Sequence, residues 1–274
     1  MIDYEAEYNN RARVPENPEI IAGWVRDAAA YRQSADCDLD RAYGLGERLT
    51  YDLFNPETRD VLKPIVLFIH GGYWQSMDIK HFSHMARGLN AAGYRVAVGG
   101  YDLCPEVKIA DIVEEMRLLC EHLWAEFRRP IVAAGHSAGG HLTSALLSTD
   151  WPSRGLPVRL VPNGYAISGL FDLMPLVHTS LNEKLGMDEK EALSLSPIAM
   201  APPVGTSLVA AVGGDESREY FRQSRIIVDL WGRGGVKTRI RIEEEANHFT
   251  VIAPLANPKS DMLADVVSAI EGTD

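Results

Sequence analysis

The sequence predicts an α/β protein: a mostly parallel sheet with helices on both faces. Three observations carry this. Short apolar runs recur at residues 65–70, 95–101, 131–135 and 207–213. Each is too short for a helix and apolar at all but an end position, the mark of a strand covered on both faces. Amphipathic helical stretches separate these runs, and that alternation means βαβ units in one sheet. In such sheets ligands bind beyond the carboxyl ends of the strands, so chemistry is expected just after each run.

In chain order, residues 18–32 place Ile20, Ile21, Trp24, Val25, Ala28 and Tyr31 on one helical face, with Pro18 in the first turn. This is an N-terminal helix lying on a core, within an extension spanning 1–45. Residues 48–54 alternate like a half-buried strand. Asp78 caps a predicted helix to about Asn90, stopped near Gly93. A long amphipathic helix covers 106–127 through Ile109, Ile112, Val113, Met116, Leu119 and Leu123. A helix over 138–149 follows strand 131–135, and 160–167 reads as a strand. Residues 170–204 are irregular with short helical pieces. A helix at 216–231, an outer strand at 236–243 and a last helix at about 259–270 complete the pattern.

The 274 residues contain no repeat, low-complexity tract or linker long enough to split them, so one domain over 1–274 is expected. Lys and Arg number 27 against 38 Asp and Glu, a net charge of −11. Such a surface repels nucleic acid, which demands positive charge to displace counterions. No apolar stretch approaches the ~20 residues a membrane span needs. The acidic start MIDYEAEYNN has no secretory pattern, and Cys37, Cys104 and Cys120 have neither paired nor metal-like spacing. A cytoplasmic protein is the expectation, with a homodimer left open.

The strongest chemical signal is Gly135-His136-Ser137-Ala138-Gly139, set between a strand and a helix. A serine on that tight turn needs small neighbours, and the turn lifts its Oγ clear of the sheet. The second is His70-Gly71-Gly72-Tyr73-Trp74, after strand 65–70. Backbone N–H groups of Gly72 and Tyr73, with that of Ala138, are the candidate donors to a tetrahedral oxyanion; Gly71 could replace one of the loop pair. The His70 ring is expected to fix the loop rather than react. A serine needs a base. Of eight histidines, His248 alone follows the last strand in a short loop, where this topology places one. The orienting acid should come after an intermediate strand, in the order Ser, acid, His. Asp215, after strand 207–213, is the choice. Glu216 would begin the next helix, and Asp172 is the runner-up but suits a helix cap. His81 and His84 lack a third ligand, so no metal is expected, and no motif requires a cofactor.

These residues resemble the α/β-hydrolase superfamily. The HGG-x-W form, together with Tyr8-Asn9-Asn10-Arg11 and Ser168-Gly169-Leu170-Phe171-Asp172-Leu173, is similar to the kynurenine formamidase (arylformamidase) branch, close to the hormone-sensitive-lipase-like carboxylesterases. The HGG-x-W match would arise by chance only about 0.001 times here, so it is the more specific motif. The resemblance implies an α/β-hydrolase fold, with a small helical cap from the N-terminus and residues ~170–204. It implies a Ser137, Asp215, His248 triad, an oxyanion hole of Gly72, Tyr73 and Ala138, and cleavage of a small carboxylic ester or aryl formamide through an acyl-enzyme. Trp74, Leu170, Phe171 and Phe249 are expected as substrate-pocket walls. A non-catalytic small-molecule receptor on the same scaffold is the alternative, disfavoured because serine, acid and base candidates are all present. An organophosphonate is expected to label one serine, in a peptide spanning 135–140; a labelled peptide elsewhere would contradict the choice of Ser137.

Overall fold

The computed structural model describes residues 2–58, 60 and 62–272. Eight strands form one sheet in the order β1-β2-β4-β3-β5-β6-β7-β8. They are β1 (Cys37–Ala42), β2 (Thr50–Phe54), β3 (Ile65–Ile69), β4 (Arg95–Gly99), β5 (Ile131–His136), β6 (Asn163–Ile167), β7 (Ser207–Gly213) and β8 (Lys237–Glu243). The pairs from β4 through β8 are parallel; β2 runs antiparallel to both β4 and β1. The helices are α1 (Tyr4–Tyr8), α2 (Asn10–Arg13), α3 (Asn17–Ser34), α4 (Ala86–Ala91), α5 (Ile109–Phe127), α6 (Ala138–Leu147), α7 (Asn182–Leu185), α8 (Glu189–Leu195), α9 (Arg218–Arg233) and α10 (Asp261–Glu271).

Strand periodicity divides the interior into two cores. Along β3, Ile65, Leu67 and Ile69 face one core while Val66 and Phe68 face the other. The same alternation runs through Leu208, Ala210 and Val212 against Val209 and Ala211 in β7. One core is closed by α5, α6 and α9, the other by α3, α4 and α10. Each helix turns an apolar stripe inward: α9 buries Tyr220, Ile227 and Trp231, spaced seven and four residues apart.

Several elements depart from expectation. The N-terminal extension is not wholly helical, because Cys37–Ala42 joins the sheet as its edge strand. That strand is polar and mostly exposed, so it carries no hydrophobic signal; backbone pairing alone defines it. The predicted helix over 78–90 is broken. Asp78 does cap there, through Lys80 N–H, but two turns of 3-10 helix precede a short α4. Helix α9 begins at Arg218, two residues later than expected, and this shift decides the acid of the site. Residues 174–199 hold short helical pieces only, as anticipated. Among the described residues no helix is long and apolar enough to cross a membrane.

A buried ion pair ties the N-terminal helix to the sheet. Arg32 of α3 meets the fully buried carboxylate of Asp52 on β2. That carboxylate also accepts the Asp40 N–H at 2.9 Å and the Ser83 hydroxyl at 3.2 Å.

Glu115 of α5 is the counter-case, a buried carboxyl without a cation. Its Oε2 accepts the Asp102 N–H at 2.9 Å. Burial, reinforced by Asp102 and Asp111, pushes its pKa up to about 7. A carboxyl raised on folding contributes stability below its unfolded value of 4.5 and loses it as pH rises through the folded one. Glu115→Gln keeps an acceptor for Asp102 and removes the charge. Its melting temperature is therefore expected to exceed that of the parent by a margin that grows between about pH 4.5 and pH 7 and levels off above that. A margin constant across that range in calorimetry would contradict the assignment.

Candidate active site

The site lies at the carboxyl ends of β3, β5, β7 and β8. Ser137 sits between β5 and α6 with φ +56° and ψ −115°. Non-glycine residues in such sparsely populated regions cost on the order of 1–3 kcal/mol and persist only where their surroundings hold them. The flanking glycines are demanded by contact. A Cβ on Gly135 would lie 2.2 Å from the Gly139 carbonyl oxygen, and one on Gly139 would lie 2.0 Å from that of Ile69. Ser137 N–H donates to the Ile167 carbonyl at 2.8 Å, fastening the turn to β6. Ala138 opens α6, so its N–H has no intrahelical acceptor.

His248 is buried in the loop after β8. Its Nδ1 is 2.7 Å from Oε2 of Glu216, whose side chain is fully buried. A carboxylate can only accept, so Nδ1 carries the proton and Nε2 has a free lone pair. Glu216 is held in turn: its Oε1 accepts the Gly213 N–H at 2.8 Å and the Ser168 hydroxyl. Ser137 and His248 border one cavity of about 240 Å³.

This corrects the choice of acid. Asp215 is exposed and its N–H donates to the Ala246 carbonyl at 3.0 Å, whereas the carboxylate bonded to the imidazole is that of Glu216. Glu216 does not begin the helix. Ser217 is the cap of α9, leaving Glu216 in the turn after β7, where its longer side chain folds back under His248. Asp172 is likewise committed elsewhere, to Arg222 at 2.9 Å.

The loop after β3 runs through left-handed backbone: φ is +111° at Gly72, +52° at Tyr73, +56° at Trp74 and +73° at Met77. The N–H groups of Gly72, Tyr73 and Ala138 make no hydrogen bond among the described residues. Gly71 packs on the elbow, where a Cβ would meet that of Ser137 at 3.1 Å. His70 holds the loop as expected. Its Nδ1–H donates to the Gly71 carbonyl at 2.7 Å, and its ring stacks between Tyr101 and Phe82 at 4.2 and 5.7 Å. Burial pushes its pKa down to about 4, so the ring is neutral.

The pocket walls are mostly other than expected. Phe249 lines the cavity, opposite Trp24 with ring centroids 6.0 Å apart. Trp74, Leu170 and Phe171 do not. All three are fully buried core, Trp74 turned inward edge-on to His141 and Phe171 under Gly169. The walls missed in the sequence include Tyr8, Asn9, Asn10 and Arg11 from the N-terminal segment, Trp24 from α3, Gln75, Ser76 and Met77 from the loop after β3, and Leu181 and Lys184 from the cap. The Tyr-Asn-Asn-Arg motif was the available signal. His136, inside the elbow, lies with its ring 4.8 Å from that of His248, and its Nε2–H donates to the His248 carbonyl at 2.9 Å. His81 pairs with Asp78, and no metal-ligating cluster occurs among the described residues.

An eight-stranded, mostly parallel sheet carrying a strained serine elbow, a buried carboxylate–histidine pair and an adjoining cavity defines an α/β-hydrolase. A family model described as BD-FAE matches residues 51–151, which hold both glycine motifs but neither Glu216 nor His248. Kynurenine formamidase of Salmo salar is 31% identical over 227 residues, covering 80% of this chain and 77% of that protein. The Drosophila melanogaster kynurenine formamidase is 29% identical over 232 residues with the same coverages. A crystal structure from Silicibacter sp. TM1040, described as a candidate thioesterase, superposes with a TM-score of 0.87 at 35% identity, covering 97% of this chain and all of that one. The chain belongs to the kynurenine formamidase family, and it is a hydrolase.

Glu216→Gln is expected to lower kcat on an activated aryl ester by roughly 10³- to 10⁴-fold, the scale set when the acid behind a catalytic histidine is neutralised. Asp215→Asn should stay within about twofold, as an exposed surface change does. The reverse ranking in steady-state kinetics would restore Asp215.

Proposed function

We propose that this chain is a serine hydrolase of aryl formamides and small carboxylic esters, with Ser137 as nucleophile, His248 as base and Glu216 as orienting acid. The observation that carries the reading is the buried Glu216–His248 pair bordering the same cavity as a serine on a strained elbow. His248 Nε2 takes the hydroxyl proton as Ser137 Oγ adds to the carbonyl carbon. The developing oxyanion is received by the N–H of Ala138 and by those of Gly72 and Tyr73. A single such donor is typically worth ~3–4 kcal/mol in the transition state. The α6 N-terminus adds its dipole. As the intermediate collapses, imidazolium His248 hands its proton to the leaving amine or alcohol. Water, deprotonated by His248, then releases the acid and regenerates Ser137. On a formamide the acyl group is formyl and the released acid is formate.

The cavity supports an aryl leaving group. Trp24 and Phe249 supply an aromatic wall, and Asn9 and Gln75 a polar rim. Among the described residues Arg11 and Lys184 border it and no carboxylate residue does, in a chain that is acidic overall. This favours a substrate carrying an anionic group, and N-formylkynurenine has one. The kynurenine formamidases among the relatives point the same way. The odd, unpaired cysteines support a cytoplasmic setting.

The test compares kcat/KM for N-formyl-L-kynurenine with those for short and medium p-nitrophenyl esters, in the parent and in Ser137→Ala. The formamide is expected to lead by about tenfold or more. Ser137→Ala should lose roughly 10⁴-fold or more in kcat on every substrate. Half the activity surviving in that variant would falsify the serine reading. Esters leading strongly would make the chain a carboxylesterase.

A further inference from the structure

The Tyr-Asn-Asn-Arg motif lies outside the sheet, yet it reaches the reaction centre. Asn10 uses both hydrogens of its Nδ2 on two phenols: Tyr220 Oη at 2.8 Å and Tyr73 Oη at 3.2 Å. The directions of the remaining hydrogens follow by elimination. Tyr73 Oη is 2.7 Å from the Tyr8 carbonyl, which can only accept, so the Tyr73 proton goes there. The two phenol oxygens are 2.7 Å apart, so the Tyr220 proton is the one between them. The result is a relay in which Asn10 donates to both phenols, Tyr220 donates to Tyr73, and Tyr73 donates to the Tyr8 carbonyl; the Tyr220 phenol is also hydrogen-bonded to the Ser137 side chain.

Each phenol stands beside one half of the proposed machinery. Tyr73 belongs to the loop whose N–H groups await the oxyanion, and its backbone is left-handed at φ +52°. Tyr220 lies with its ring 4.6 Å from the His248 imidazole. The segment carrying Asn10 is itself pinned. Tyr8 Oη donates to Glu219 at 2.8 Å and accepts from Gln223 at 2.8 Å, both on α9. Glu5 takes the Ser180 N–H and hydroxyl, each at 2.8 Å. A left-handed tyrosine persists only where contacts over-determine it. Here the contacts on its side chain come from residues 8 and 10 together with Tyr220.

We propose that Asn10 is a positioning residue for the oxyanion loop and the base, acting through the phenols of Tyr73 and Tyr220. The inference rests on the serine-hydrolase reading above. It assigns the N-terminal strap a part in transition-state stabilisation, separate from any part in holding substrate.

The test uses the full chain carrying Asn10→Ala or, separately, Tyr73→Phe, with active sites titrated by a fluorophosphonate. Tyr73→Phe keeps the ring and the backbone while breaking the bond to the Tyr8 carbonyl, so it serves even if Asn10→Ala folds poorly. Removing a whole oxyanion donor costs about 10²- to 10³-fold, so loss of alignment alone should lower kcat about 10- to 100-fold per titrated site. KM should move less than about threefold, since the ground state does not use the donors. The inhibition constant of a trifluoromethyl ketone, which forms a tetrahedral oxyanion on the serine, should rise by the same factor as kcat/KM falls. A rise in KM with kcat retained would make Asn10 a substrate-binding residue and overturn the proposal. So would unchanged kcat, or a fall in kcat with ketone affinity untouched. Failure of the phosphonate to label Ser137 in the parent is a different result: it removes the serine reading itself, and this inference with it.

Discussion

Everything in the site hangs on one buried carboxylate. Glu216 has a fully buried side chain, and a naked charge there would be costly. It is tolerated because three donors converge on it: the imidazole Nδ1–H of His248, the Gly213 N–H and the Ser168 hydroxyl. These come from the loop after β8, the end of β7 and the turn after β6. The carboxylate therefore sets the tautomer of His248 and at the same time clips together the ends of three adjacent strands. Its own position depends on helix α9 starting at Arg218, which leaves Glu216 in the turn and frees it to reach back.

That dependence explains why the fold was more legible than the acid. The central strands are buried on both faces and declare themselves as unbroken apolar runs, β3 and β7 most clearly. The elbow declares itself because glycine is the only residue its crowded backbone admits, and His248 because the last loop of this topology offers few alternatives. The acid turned on the start of α9, and a shift of two residues there exchanged an aspartate for a glutamate. Propensity does not resolve helix starts so finely. Asp215 fits by position, but the carboxylate that meets His248 is that of Glu216.

The other misses share a cause. Trp74, Leu170 and Phe171 follow strands and are large and apolar, but hydrophobicity does not distinguish a wall facing a cavity from one facing the core. The edge strand at 37–42 has no apolar pattern to read. Helices α1 and α2 span five and four residues, too short to show periodicity, and they are held by side-chain contacts to α9 and the cap. The polar residues around the cavity thus come largely from the parts of the chain whose local sequence says least about structure.

The bond between His136 Nε2 and the His248 carbonyl has one more consequence. His136 is the immediate chain neighbour of Ser137, so the loop bearing His248 is tied directly to the serine elbow as well as to the edge of the sheet. One bond between two neighbouring turns thus links the ends of β5 and β8, strands that are not adjacent in the sheet.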